Sequence, residues 1–94
     1  MRVRWLRKAL ANLDAEASYI AEDNPAAARI VVARILSAVS HLPQQPRLGR
    51  PGRVPGTREL VVPRTRYLIP YRVRGDLIEI LRVFHVSRRL PERW

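Results

Sequence analysis

Four side chains in the second half of the chain have the types that RNA cleavage by an adjacent 2′-hydroxyl requires: Glu59, His85, Arg58 and Arg82. That reaction takes a base for the hydroxyl, an acid for the leaving oxygen, and fixed cations against the phosphorane. Histidine or glutamate moves protons near neutral pH, whereas arginine stays charged and can only stabilise negative charge. The spacing speaks against a compact set. If residues 77–86, LIEILRVFHV, form one regular strand, alternation places Glu79, Leu81, Val83 and His85 on one face. Ile80, Arg82 and Phe84 then lie on the other, so Arg82 and His85 point apart. Two plainer roles compete: Glu59 paired with an arginine on an exposed face, and His85 closing the end of a core strand.

Other chemistries find less support. The two histidines, His41 and His85, belong to different elements, no carboxylate cluster accompanies them, and cysteine is absent. No metal and no cofactor is therefore expected. GRPGRVPG lacks the spacing of a phosphate-binding glycine loop and follows no apolar strand. Ser18, Ser37 and Ser40 fall on helices and Ser87 merely neighbours His85, so no strained nucleophile turn is present.

Charge is more informative. Eighteen basic residues against eight acidic ones give +10, and Lys8 is the one lysine among them. Residues 1–46 carry six basic and four acidic side chains, residues 47–94 twelve and four, so the excess sits in the second half. Guanidinium forks suit bidentate contact with phosphates or carboxylates, which predicts an anionic partner: nucleic acid or an acidic protein segment. No apolar run approaches the ~18 residues needed to span a bilayer. The first eleven residues alternate basic and apolar types rather than forming a leader's apolar stretch. A cytoplasmic protein without a membrane partner is expected. At 94 residues and 47% hydrophobic, the chain has material for one core, so residues 1–94 are expected to form a single domain.

The elements that must position these residues follow from periodicity. RVRW at residues 2–5 alternates like a short strand. Leu6, Leu10, Leu13, Ala17 and Ile20 recur at helical spacing, leaving Asp14, Glu16 and Glu22 for a solvated face. EDNP interrupts this helix, with Asn24 as N-cap and Pro25 at the first position of the next. Ala28, Val31 or Val32, Ile35, Val39 and Leu42 share a face of that second helix, and the short link makes the two an antiparallel hairpin. Residues 43–56 contain four prolines and three glycines and read as an irregular loop punctuated by Arg47, Arg50 and Arg53. Strands are expected over 58–62, 67–73 and 77–86; Pro70, inside the second, implies a bulge or an edge-facing position. The order is β-α-α-β-β-β, with the hairpin covering one sheet face and the other open to solvent or a partner.

Taken together, YIAEDNPAAA (19–28), GRPGRVPGTREL (49–60), YLIPYRV (67–73) and ILRVFHVSRR (80–89) resemble the RelE/ParE toxins of type II toxin–antitoxin modules. The resemblance runs through nearly the whole chain in the right order. It implies an α+β, RelE-like fold with an N-terminal strand and a helix hairpin packed on a small antiparallel sheet. It also implies a cognate antitoxin whose C-terminal segment wraps the toxin in a hetero-oligomer. RelE-type members cleave mRNA in the ribosome and carry an arginine after the sheet tyrosine and a tyrosine or histidine near the C-terminus. Here Leu68 follows Tyr67 and the chain ends in Trp94. The end of the last strand, Arg82, His85, Arg88 and Arg89, is similar instead to ParE-type members, which act on DNA gyrase. The resemblance therefore implies growth inhibition through gyrase, with a ribosome-dependent mRNA endonuclease as the alternative. Arg82, His85, Arg88 and Arg89, with Arg50 and Arg53 of the loop, are the expected target or antitoxin contacts.

Overall fold

The computed structural model describes residues 1–88 and 93–94. In chain order the elements are β1 (Arg2–Trp5), α1 (Arg7–Asp23), α2 (Pro25–Ser40), β2 (Arg50–Pro51), β3 (Arg58–Val61), β4 (Tyr67–Arg74), β5 (Leu77–Ile80) and β6 (Phe84–His85). The sheet runs β1-β5-β4-β3-β2, and β6 pairs with β4 beyond the end of β5. All pairings are antiparallel except β1 with β5. A parallel neighbour requires a long connection, and the helix hairpin with strands β2 to β4 supplies it.

Asn24 separates the helices by itself. Its backbone N–H closes α1 on the Ile20 carbonyl, and its side-chain oxygen accepts from the Ala27 N–H at 3.0 Å to open α2. Pro25 follows at the first helical position, where its missing N–H costs nothing. The α2 face read from spacing is the buried one: Ala28, Ile35, Val39 and Leu42 are buried, Val31 packs against the core, and Ala38 joins them. In α1 the expected stripe keeps Leu13 and Ile20 on the core, but Ala9 and Glu16 complete it in place of Leu10. Ala9, Leu13, Glu16 and Ile20 face the sheet, whereas Leu10 is 51% exposed. Glu16, expected on the solvated face, is buried; it shares the four-three-four spacing that the apolar stripe was chosen on.

The core lies between this hairpin and one sheet face. Tyr67, Ile69 and Tyr71 of β4 meet Leu60, Ile78 and Ile80 of the flanking strands, and Val3 and Trp5 of β1 pack at the rim. Register assigns the remaining strand residues to the other face.

Two expectations about the strands are corrected. The loop over 43–56 contains a two-residue strand, β2, laid against β3 through Arg50↔Glu59 and Pro51↔Arg58. The long strand over 77–86 is broken. Tyr71 pairs with Ile80 and Leu68 with Phe84, so two residues of β4 stand opposite three of the partner, Leu81 to Val83. That is a one-residue bulge. Its cause is Pro70. The Pro70 carbonyl accepts from Leu81 N–H at 2.9 Å, so the donor that proline lacks would have pointed the same way, into the bulged segment. No ladder bond can form there, and the partner strand is free to take in the extra residue.

Candidate functional site

The sheet's outer face divides into two halves. In one, Arg2 and Arg4 of β1, Leu77 and Glu79 of β5, and Arg72 and Arg74 of β4 stand in two rows across three strands. Glu79 is 5% exposed beneath the guanidinium groups; Arg72 Nε donates to it at 2.7 Å, and Arg74 lies 3.6 Å away. Its carboxyl is held below the ordinary range by the Arg72 hydrogen bond first, with the charges of Arg72, Arg74 and Arg4 adding to it.

In the other half the chain covers itself. Leu68, Pro70 and Phe84 are buried there, and Trp94 meets Phe84 edge-on with ring centroids 5.4 Å apart. The expectation of a wholly open face therefore holds for the arginine half only. At this covered end Glu59 is 2% exposed and clamped by the loop. Arg53 donates three times, from Nε (2.8 Å), Nη2 (3.0 Å) and its backbone N–H (3.0 Å), and Arg50 Nη2 lies at 3.4 Å. This bidentate hydrogen bonding lowers the Glu59 pKa from its ordinary 4.5 to about 2, against the opposing effect of burial. The same loop is pinned from the core side. The Tyr71 hydroxyl donates to the Pro46 carbonyl at 2.7 Å and accepts from Gly49 N–H at 2.9 Å. Arg58 Nη1 donates to the Gly49 carbonyl at 2.7 Å. Gly49 is required there, because a Cβ would fall 2.6 Å from the Tyr71 ring and 2.9 Å from the Glu59 carbonyl.

A second polar cluster sits on the helix side. Glu16, 8% exposed, accepts from the Tyr67 hydroxyl at 2.8 Å and from Arg88 Nη1 at 2.5 Å. Burial, then the hydrogen bond to Glu16, pushes the Tyr67 phenol upward, so it remains a donor. Tyr67 also packs edge-on against His85, centroids 5.2 Å apart. The His85 Nδ1 lies 2.6 Å from Ser87 Oγ and 3.2 Å from Ser87 N, which donates to it. Nearby, Asn12 Oδ1 of α1 accepts from Arg82 Nε at 2.8 Å and from Val83 N–H at 3.2 Å.

The bulge decides which residues share a side. With one extra residue, parity flips: Phe84 joins Leu68 on the outer face and His85 joins Tyr67 on the helix side. Arg82 also turns toward α1. The expectation that Arg82 and His85 point apart is thus overturned; both reach the helix side, though toward different partners. The four candidate ribonuclease residues do not converge. Glu59 lies on the outer face in a fully satisfied clamp, Arg58 is bonded to the loop backbone, Arg82 to Asn12, and His85 stands across the sheet from Glu59. Among the expected contacts, Arg50, Arg53 and Arg88 are exposed and His85 half-buried; Arg89 lies outside the described residues. Spacing did not single out Asn12, Glu16 and Tyr67. Glu16 could have been found by testing the neighbouring helical stripe. Among the described residues no group of three or more His, Asp or Glu side chains is placed to hold a metal ion. No helix among them is long and apolar enough to cross a membrane.

Comparison with known proteins is consistent with this architecture. Residues 3–90 match the family described as the ParE toxin of the type II toxin–antitoxin system parDE. The chain is 48% identical over 91 residues to Y4kP of Sinorhizobium fredii, covering 97% of this chain and 94% of that protein. It is 34% identical over 87 residues to a Caulobacter vibrioides protein named Toxin RelE2, covering 93% and 97%. Among solved structures, a chain of the chromosomal ParDE toxin–antitoxin system from P. aeruginosa is similar with a TM-score of 0.83 and 39% identity, over 92% of this chain and 96% of that one.

Proposed function

Because this chain belongs to the ParE toxin family of type II toxin–antitoxin systems, we propose that it arrests growth by binding and poisoning DNA gyrase, without chemistry of its own. Residues 1–94 act as one toxin domain in the cytoplasm, held in a hetero-oligomer by a cognate antitoxin until released. The observation that carries the non-enzymatic reading is the separation of Glu59 from His85 by the thickness of the sheet. Proton transfer to and from one phosphodiester needs base and acid within hydrogen-bond reach of the same group. Here the carboxylate is locked in ion pairs and the imidazole is on the other side.

The antitoxin's contact surfaces have a physical basis in two features. The exposed arginines Arg50 and Arg88, with Arg53, offer charge to an acidic segment, and His85 lies beside them as a polar contact. The groove between α1 and α2, about 520 Å³ and lined by Ala17, Ala21, Ala28, Val32 and Leu36, suits the apolar side of an amphipathic helix. A supercoiling assay tests the target. Purified toxin should inhibit gyrase, and antitoxin should restore it; unchanged supercoiling at several-fold excess of toxin, with mRNA cleaved on translating ribosomes instead, would assign the endonuclease.

A further inference from the structure

We propose that the arginine half of the outer sheet face binds the phosphate backbone of duplex DNA. This goes beyond contact with a protein target, and it rests on a patch outside the expected contact residues. Arg4, Glu79 and Arg72 stand side by side in one row, and Arg2, Leu77 and Arg74 in the next. With strands about 4.8 Å apart and same-face residues about 6.7 Å apart, the four guanidinium stems leave an area of roughly 10 by 7 Å. Such a length of B-DNA axis carries about six phosphate charges. Arg2, Arg4 and Arg74 are exposed and Arg72 is half-buried. Beneath them lies one carboxylate, Glu79, paired with the Nε of Arg72 and Arg74; Asp76 sits in the turn at the patch edge and makes no ion pair among the described residues.

The chemistry favours a phosphate backbone over the other anionic partners. Guanidinium forks match phosphodiester oxygens bidentately. A helical peptide would want an apolar anchor, and the apolar groove is across the molecule, between the two helices. A single strand would want flat aromatic platforms. Trp94 shares a hollow with Arg72, but its ring is engaged with Phe84. What remains is a charged sheet surface suited to the sequence-independent backbone of a duplex.

The experiment uses the full chain, a 20-base-pair DNA duplex, a 20-base-pair RNA duplex, a single strand of equal length, and polyglutamate, with no gyrase present. The DNA duplex should bind with log K falling against log salt at a slope of about −3 to −4, as four phosphate contacts require. The double variant Arg2→Ala/Arg4→Ala should lose about tenfold or more in affinity at low salt, and its slope should shrink by about 2. Arg29→Ala/Arg34→Ala, which removes equal charge from the helix hairpin, should bind as wild type does; thermal melts confirm that both variants fold. Patch-dependent binding of the DNA duplex supports the proposal; patch-dependent binding of the RNA duplex with none of the DNA duplex would overturn it. Equal losses in the two double variants would reduce the effect to net charge and overturn it. Patch-dependent binding of polyglutamate alone, or of the single strand as tightly as the duplex, would overturn it as well.

Discussion

Glu59 and Glu16 are both buried glutamates held by arginine, and they differ in where their partners come from. The partners of Glu59, Arg53 and Arg50, are six and nine residues away, and all of its donors are charged groups or the loop backbone. The partners of Glu16, Tyr67 and Arg88, are 51 and 72 residues away, and one of them is a neutral hydroxyl. The first arrangement fixes a Pro- and Gly-rich loop onto the sheet. The second ties the end of the meander back to the first helix. A local clamp can form before the fold is complete, whereas a long-range tie forms only with it. The contrast explains why one glutamate was visible as an arginine partner in the sequence and the other was not.

The sharpest way to break the comparison is to remove the carboxylate of the clamp. Glu59→Ala leaves Arg53 and Arg50 unpaired and frees the loop, and a loss of about 3 kcal/mol is expected in a denaturant melt. Glu59→Gln should keep part of the hydrogen bonding and lose less. A pH series sharpens the same point. The folded pKa of about 2 lies below the ordinary 4.5, so the unfolded chain binds the proton more readily. The contribution, about 2–3 kcal/mol once solvent around the partly exposed Arg53 is allowed for, is fully present above about pH 5. It drains away as pH falls toward 2, and urea midpoints of wild type should converge on those of Glu59→Gln over that range. On the helix side the effect is smaller. Tyr67→Phe removes one donor while Arg88 still satisfies Glu16, so about 1 kcal/mol is expected; a loss as large as that of Glu59→Ala would erase the distinction between clamp and tie. Smallest is Leu10→Gln. Its exposed side chain predicts a change within about 0.5 kcal/mol, and a loss of 2 kcal/mol would restore the stripe read from spacing.

Much of the fold was legible because it depends on local chemistry. Asn24-Pro25 marks the helix junction, the α2 stripe is apolar on one face, and Pro70 announces a disturbed ladder. In α1 the apolar pattern places Leu13 and Ile20 but not Leu10 or Glu16, because Leu10 is apolar and Glu16 is not; the buried Tyr67 hydroxyl and Arg88 make the polar choice the stable one. The placement of His85 was illegible for a different reason. Alternation counts residues, and Pro70 changes the count on a strand some ten positions downstream. No local pattern in ILRVFHV reports that.

The extra residue between Leu81 and Val83 has a consequence for how a histidine-then-arginine ending should be read in any related chain. It acts as a parity bit set by a proline on the neighbouring strand. A relative lacking that proline could keep the same letters at its end and yet present the imidazole to the opposite solvent. Deleting a single position from 81–83 here would be a frameshift in space, turning His85 to the outer face beside Leu68 and Phe84 toward the helices without altering either side chain.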